Sequence, residues 1–339
     1  MKPIDLSSTG NTCTIYPGTS FDRLKEFCVP DNTVIISDKN IRNLHGDKLS
    51  PHRTIEIEPG EEYKTLETVN TVYEQLLALE TDRSTTIVGV GGGIVCDIAG
   101  FAASTYLRGL PFGFVPTTLL AQVDAGVGGK NGVNYLGYKN LIGTFNQPEF
   151  VLCDFSFLKT LPYDELKNGI AEIVKSALIS DRTLFEFIAI NHKGIISLDS
   201  KVTERIIGDT LTLKTDIVSR DEKESGERRK LNFGHTVGHA IEKISGLRHG
   251  EAISIGMVIA AKLSEMRGIL ARKDVLKIES VLKSFHLPTE IEGNRDAIMD
   301  AIRKDKKREG ADIHFVLLDG IGSGIIETIG IAELEEAIF

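Results

Sequence analysis

An N-terminal α/β domain followed by a mainly α-helical C-terminal domain is what this sequence predicts, and three observations predict it. Apolar, β-rich runs alternate with helix-patterned stretches through the first half of the chain. From about Leu161 the texture changes to one helical periodicity after another. Pro162 marks a joint between the two patterns. At 339 residues the chain suits two domains of ordinary size, expected at 1–160 and 161–339.

The elements follow in order. Thr33–Ser37, Thr54–Glu58, Thr85–Val90, Phe112–Val115 and Phe150–Cys153 read as strands. Leu66–Leu79 and Asp97–Tyr106 read as helices between them, so the sheet is expected to be parallel and Rossmann-like. Beyond the joint, Asp164–Ile179, Val202–Ser219, His235–Ile244, Glu251–Met266 and Asp274–Phe285 carry apolar residues at helical spacing. Ile313–Leu318 and Ile325–Ile329 read as late strands around a glycine-rich turn. A cleft between the two domains is expected.

Composition narrows the class. Hydrophobic residues are 41% and charged residues 26%, the balance of a globular protein. The polar start, Met1–Gly10, lacks the apolar core of a signal peptide. Ile87–Ser104 is largely apolar but holds five glycines and Asp97, which suits a strand, turn and helix rather than a membrane span. Cys13, Cys28, Cys96 and Cys153 have no paired spacing, so reduced thiols and a cytoplasmic location are expected. The formal net charge of −9 opposes nucleic acid and anionic membranes, and neither is expected as a partner. An acidic protein that binds an anion must gather positive charge locally.

Gly89-Val-Gly-Gly-Gly93 follows a strand and precedes a helix, where glycines let backbone N–H groups approach phosphate oxygens. A structural tight turn is the competing reading, since the spacing is not G-x-G-x-x-G. Asp38 and Asn40, just past a strand, are placed to meet ribose hydroxyls, although both types are also common in turns. Together they point to a nucleotide. Arg108, Lys130 in Asp124-Ala-Gly-Val-Gly-Gly-Lys130-Asn-Gly-Val-Asn134, and Lys139 put three cations among glycines on expected loops. Such loops wrap phosphate or carboxylate groups. Surface lysines are common, so each alone carries little.

The most informative stretch is Leu231-Asn-Phe-Gly-His235-Thr-Val-Gly-His239-Ala-Ile-Glu242. His235 and His239 share one helix face, and His249-Gly-Glu251 follows closely. Glu172 and Lys175 sit one turn apart inside an apolar helix, where a carboxylate is costly without a partner. Two imidazoles and a carboxylate with open positions make the pattern of a catalytic metal. Spacing alone leaves open which histidines are ligands, and satisfied core histidines are the plainer alternative. The other five histidines (45, 52, 192, 286 and 314) show no clustering.

Gly91-Gly-Gly-Ile-Val-Cys-Asp97, Pro116-Thr-Thr-Leu-Leu-Ala-Gln-Val-Asp124, Asn232-Phe-Gly-His-Thr-Val-Gly-His239 and His249-Gly-Glu-Ala-Ile253 resemble the 3-dehydroquinate synthase family. The likeness runs from about Asp38 to Lys307. It implies that Glu172, His235 and His249 bind one zinc or cobalt ion. It implies contacts to NAD from Asp38, Lys39, Asn40, Glu61, Lys64, Gly92, Gly93, Ile94, Asp97, Thr117, Thr118, Lys139, Phe157, Leu158 and Thr160. The matching substrate positions are Arg108, Asp124, Lys130, Asn140, Lys175, Lys214, Arg228, Asn232 and His239, with Lys306 or Lys307 from a late basic motif. Glu224 and His239 match proton acceptors, and Lys130, Asn140 and Lys175 join them in the catalytic set.

The implied reaction turns 3-deoxy-D-arabino-heptulosonate 7-phosphate, a small phosphorylated sugar acid, into 3-dehydroquinate and phosphate in the shikimate pathway. NAD is regenerated, and a homodimer is expected. Two departures from the family's pattern stand out: Cys96 replaces a usual glycine, and Asp124-Ala-Gly-Val-Gly-Gly-Lys130-Asn131 replaces Asp-Ser-Ser-Val-Gly-Gly-Lys-Thr. They leave room for another sugar phosphate cyclase. A metal-dependent NAD polyol dehydrogenase is a second alternative, opposed by the charge of Arg108, Lys130, Lys175, Lys214 and Arg228. A non-catalytic binding protein would lack a ligand or an acid–base residue, and none is missing.

Overall fold

The computed structural model describes residues 1–7, 12–291, 295–303, 308–309 and 312–338. The chain forms two compact units: Met1–Pro162 with Lys214–Glu222, and Tyr163–Leu213 with Lys223–Phe339.

The first unit opens with β1 (Ile4–Ser7), β2 (Thr12–Pro17), β3 (Thr33–Asp38), α1 (Lys39–Leu49) and β4 (Arg53–Ile57). Next come α2 (Leu66–Ala78), β5 (Thr86–Gly91), α3 (Gly93–Thr105) and β6 (Phe112–Pro116). A hairpin of β7 (Lys130–Tyr135) and β8 (Tyr138–Phe145) precedes β9 (Phe150–Cys153). The main sheet runs β1-β2-β9-β6-β5-β3-β4 and is parallel except for the β1–β2 pair. Strands buried on both faces need continuous apolar runs, which is why β3, β5, β6 and β9 were readable in the sequence. Ile35, Val88, Val90, Val115 and Leu152 pack with Phe21, Phe150 and Phe157 in one core. The stretch expected as a glycine-rich loop up to Asn134 is instead a π-helical turn at Ala121–Ala125 followed by strand β7.

Chain order reverses across this sheet. From β3 the chain moves outward to β4, then returns to place β5 on the other side of β3. Ligands of open α/β sheets bind at the carboxyl ends of the strands at such a switch point. Here those ends carry Asp38 and Gly91 to Gly93.

The second unit starts with α4 (Tyr163–Ser180), α5 (Arg182–Ile190), α6 (His192–Ile196) and α7 (Ser200–Arg220). The last turns of α7, from Lys214, belong to the first unit, a change from the expected boundary that helical periodicity does not signal. Then follow α8 (His235–Ser245), α9 (His249–Met266), α10 (Arg272–Ser284) and α11 (Arg295–Arg303). A small antiparallel sheet of β10 (Arg308–Glu309), β11 (Asp312–Gly320) and β12 (Ser323–Gly330) precedes α12 (Ile331–Ile338). Helices α4 and α9 are buried along most of their lengths and form the centre of this unit. α8 and α9 meet at glycine: a Cβ on Gly256 would lie 2.0 Å from the Gly234 carbonyl oxygen. That close approach sets the two histidine-bearing helices side by side. Among the described residues no helix is long and apolar enough to cross a membrane.

Candidate active site

In the first unit, the residues matched to nucleotide contacts cluster after strand ends. Asp38 ends β3 and caps α1, accepting from the Ile41 N–H at 2.9 Å. Burial raises its carboxyl above the usual range, against hydrogen bonds from the Ile41 and Asn40 backbone. Helix α3 starts from Gly92 with no side chain capping it, so its first N–H groups and positive dipole end are available to an anion. Thr117 follows β6, is buried, and donates its backbone N–H to the Gly91 carbonyl at 2.8 Å. Its hydroxyl has no hydrogen-bond partner in the protein. A buried, unmatched hydroxyl beside an uncapped helix start is a fit for a polar ligand such as a dinucleotide pyrophosphate.

Lys64 is buried and pairs with Asp97, and donates to Asn140 Oδ1 at 2.6 Å. Burial pushes the Asp97 carboxyl up, and the Lys64 ammonium opposes that rise. Asn134 Nδ2 donates to Glu61 Oε1 at 2.8 Å, and its Oδ1 accepts from the Asn140 N–H at 2.9 Å. The hairpin is thereby tied to the loop after β4. Phe157 and Leu158 are buried after β9, where Thr160 Oγ1 meets His45 Nε2 at 2.9 Å. Lys39, Lys130 and Lys139 are exposed. Arg108 is exposed and left-handed, at φ +69°. Lys214, buried, donates to both the carbonyl and Oδ1 of Asp124 at 2.5 Å.

The second unit brings together the metal-type residues. Glu172 comes from α4, His235 and His239 from α8, and His249 from the first position of α9. Glu172 Oε1 lies 3.5 Å from His235 Nε2 and 3.2 Å from His249 Nε2. One atom from each of the three lies within 4.8 Å of the others. His235 Nδ1 is 3.1 Å from the Phe233 carbonyl, which fixes the tautomer with Nε2 turned to the carboxylate. The three converging donors fit a divalent ion of the zinc type.

Burial works against every charge here. By itself it would raise the Glu172 carboxyl, but the Lys175 ammonium and His249 overcome it and hold the group down to about 2. Lys175, only 2% exposed, pairs with Glu172 Oε2. Burial and the neighbouring Lys175, His239 and His249 push His235 well below its ordinary value. Burial also lowers His249, yet Glu172 and Glu242 outweigh it and lift the imidazole to about 9.

Helix α4 also anchors the turn that carries His249. Asn168 Oδ1 accepts from the Gly250 N–H at 2.8 Å, and Lys167 Nζ donates to Glu251 Oε1 at 3.0 Å. Among the substrate positions, Arg228 is buried, and Asn232 Nδ2 donates to Glu224 Oε1. Glu224 holds a left-handed backbone at φ +60°, a conformation that side chains take up at a cost.

The structure thus gathers Glu172, Lys175, His235, His239 and His249 in one unit, and the nucleotide-type positions with Asp124, Asn140 and Lys214 in the other. Lys306 and Lys307 lie outside the described residues. Sequence reasoning missed Glu242, Asn168 and Lys167. Glu242 stands one turn after His239, a spacing that marks a shared face. Two of the departures have local contacts: Cys96 is buried with its thiol toward the Gly91 carbonyl at 3.9 Å. Asn131 donates to the Gly129 and Asn146 carbonyls at 3.2 and 2.9 Å, so it ties the hairpin base together.

The family model for the 3-dehydroquinate synthase N-terminal part matches residues 54–168, and that for the C-terminal part matches 169–308. A 3-dehydroquinate synthase of Dehalococcoides mccartyi is 39% identical over 342 residues, covering 96% of this chain and 95% of its own. One from Geobacter metallireducens is 45% identical over 293 residues, covering 85% and 81%. Among solved structures, 2-epi-5-epi-valiolone synthase from Streptomyces hygroscopicus subsp. jinggangensis, with NAD+ and Zn2+ bound, aligns with TM-score 0.89 at 28% identity. That alignment covers 98% of this chain and 97% of the other. A 2-deoxy-scyllo-inosose synthase complexed with carbaglucose-6-phosphate, NAD+ and Co2+ aligns with TM-score 0.90 at 28% identity, covering 99% of both. A probable glycerol dehydrogenase from Sinorhizobium meliloti, 15% identical with TM-score 0.68 over 96% of this chain and 94% of its own, shares the fold. The chain belongs to the 3-dehydroquinate synthase family.

Proposed function

We propose that this enzyme converts 3-deoxy-D-arabino-heptulosonate 7-phosphate to 3-dehydroquinate and phosphate, with NAD and one zinc or cobalt ion. The observation that carries the reading is the set of buried Glu172 and His235 with half-buried His249, and Lys175 beside it, in a chain of this family. When bound, NAD supplies a reversible hydride acceptor and the ion a Lewis acid for a substrate oxygen.

The protein's own residues do the rest. Glu172, His235 and His249 hold the ion, and Asp38, Thr117 and the start of α3 are the core of the dinucleotide contacts. Lys39, Asn40, Glu61, Lys64, Ile94, Asp97, Thr118, Lys139, Phe157, Leu158 and Thr160 complete them. Arg108, Lys130, Lys175, Lys214 and Arg228 supply the cations for a substrate bearing phosphate and carboxylate. Asp124 holds the Lys214 ammonium in place, and Asn140 and Asn232 offer hydrogen bonds to hydroxyls. Loss of phosphate requires removal of a proton from carbon beside a carbonyl and capture of charge on the departing group. His239 and Glu224 are the proton acceptors, Glu224 being held by the Asn232 amide.

Mixing enzyme, NAD and the heptulosonate phosphate should release phosphate with no NADH build-up at about 340 nm, and a chelator should stop it. Steady NADH formation would mean a dehydrogenase. Phosphate released from another sugar phosphate, and none from this one, would mean a different cyclase.

A homodimer and a cytoplasmic location are part of the proposal. The β7–β8 hairpin exposes Tyr135, Leu136, Tyr138, Leu141 and Phe145, an apolar set suited to a second copy. The four cysteines are free, in keeping with a reducing compartment. Sedimentation should show a dimer that Leu136→Asp with Phe145→Asp dissociates; an unchanged dimer would place the interface elsewhere.

A further inference from the structure

Helix α9 begins at His249, and the residue before it, Arg248, is not one of the small polar types that cap a helix well. A cap comes instead from another helix. Asn168 of α4 is buried, and its Oδ1 accepts from the Gly250 N–H at 2.8 Å. That N–H lies in the first turn of α9, where backbone donors have no acceptor within their own helix. Asn168 Nδ2 donates to Glu165 Oε2 at 3.0 Å. The amide therefore meets a donor on one side and an acceptor on the other, which fixes its orientation. A Cβ on Gly250 would lie 3.0 Å from Asn168 Oδ1, so glycine lets the two helices come this close.

Asn168 and Glu172 stand one turn apart on α4, so they share a face. Asn168 reaches the backbone next to His249, and Glu172 Oε1 lies 3.2 Å from His249 Nε2. One rigid turn of α4 thus addresses both the backbone and the ring of the same residue. Lys167 adds a second tie at 3.0 Å, but to the Glu251 side chain rather than to the backbone.

We propose that Asn168 is a positioning residue of the candidate ion site. By capping α9 from α4 it fixes the His249 backbone relative to Glu172, so the imidazole is within ligand reach before an ion arrives. Asn168 touches no ion itself. Without the cap, part of the binding energy goes into ordering the start of α9, and affinity falls. The inference rests on Glu172, His235 and His249 holding an ion.

The test measures cobalt affinity by chelator competition, below the melting temperature of every variant. Asn168→Ala removes the acceptor and should weaken cobalt binding about 10-fold or more. Asn168→Asp keeps an acceptor for Gly250 but sets a carboxylate against Glu165, and should also bind more weakly. Adding Glu165→Gln to it restores a donor opposite an acceptor, and the double variant should return close to the parent. Ser264→Ala is the control: it removes a buried hydroxyl on α9 that accepts from the Leu318 N–H at 3.0 Å. It should lower the melting temperature and leave cobalt affinity unchanged. Parent affinity in Asn168→Ala, or no recovery in the double variant, overturns the positioning role. An equal loss in Ser264→Ala overturns it too, because stability rather than position would then set affinity. A parent protein that takes up no cobalt overturns the ion reading itself, and the inference with it.

Discussion

Glu172 is a carboxylate that burial alone would neutralise, and Lys175 and His249 keep it charged. The arrangement is costly without a ligand to satisfy and pays off only at a site that needs the charge. Glu172→Gln keeps the shape and removes the charge. Metal content should fall well below one ion per chain, and phosphate release by more than about 100-fold; elemental analysis and a phosphate assay read both. Arg228→Ala should raise KM by roughly 10- to 150-fold, the loss of a charge-assisted contact of about 1.5–3 kcal/mol. An unchanged KM would remove Arg228 from the substrate site. At this scale the sequence was readable where chemistry is concentrated in a motif, as in the run from Asn232 to His239. It was silent on Asn168 and Lys167, ordinary helix residues whose partners Gly250 and Glu251 are brought to them only by packing.

Helices α4 and α9 fix the geometry of the candidate ion site by close approach. A Cβ on Gly250 would lie 2.6 Å from the Asn168 Cα and 3.0 Å from the Lys167 carbonyl oxygen. Gly250→Ala should push the start of α9 off α4, costing roughly 1–3 kcal/mol, and weaken metal retention because His249 is the neighbouring residue. Thermal melting with a chelator-competition titration checks both; a stable variant with native metal affinity would show that the turn is not held there. Elements with one uniform environment were legible, such as the buried strands and long amphipathic helices. β7 and β8 were not: β8 is exposed along most of its length, so no apolar alternation marks it. β1 is four residues long and forms the antiparallel edge of the sheet.

Across the whole molecule, three of four thiols are buried. Burial, helped by Asp5, pushes the Cys13 thiol up to about 12, and burial raises Cys96 and Cys153 further still. An unfolded thiol ionises at about 8.5. Below that value both states hold the proton and stability is independent of these groups. Above it the unfolded chain ionises while the folded one does not, so the stabilising difference is lost as pH rises toward 12. Each thiol contributes a slope of about 1.4 kcal/mol per pH unit. Melting temperature should decline from about pH 9 upward, and less steeply in Cys13→Ala; parallel declines would count against the buried thiol. The change of pattern at Pro162 falls where the first unit's leading segment ends. The return of Lys214–Glu222 to the first unit was not legible, because a continuous helix looks alike on both sides of a boundary.

That return has a consequence for how the polypeptide is made and how it can be engineered. A fragment released after Pro162 lacks the segment that pairs Lys214 with Asp124. The leading body therefore stays incomplete during translation until most of α7 has left the ribosome. Exchanging lobes between relatives by a single crossover would likewise graft mismatched halves, and a working chimera needs that short stretch to travel with its N-terminal parent.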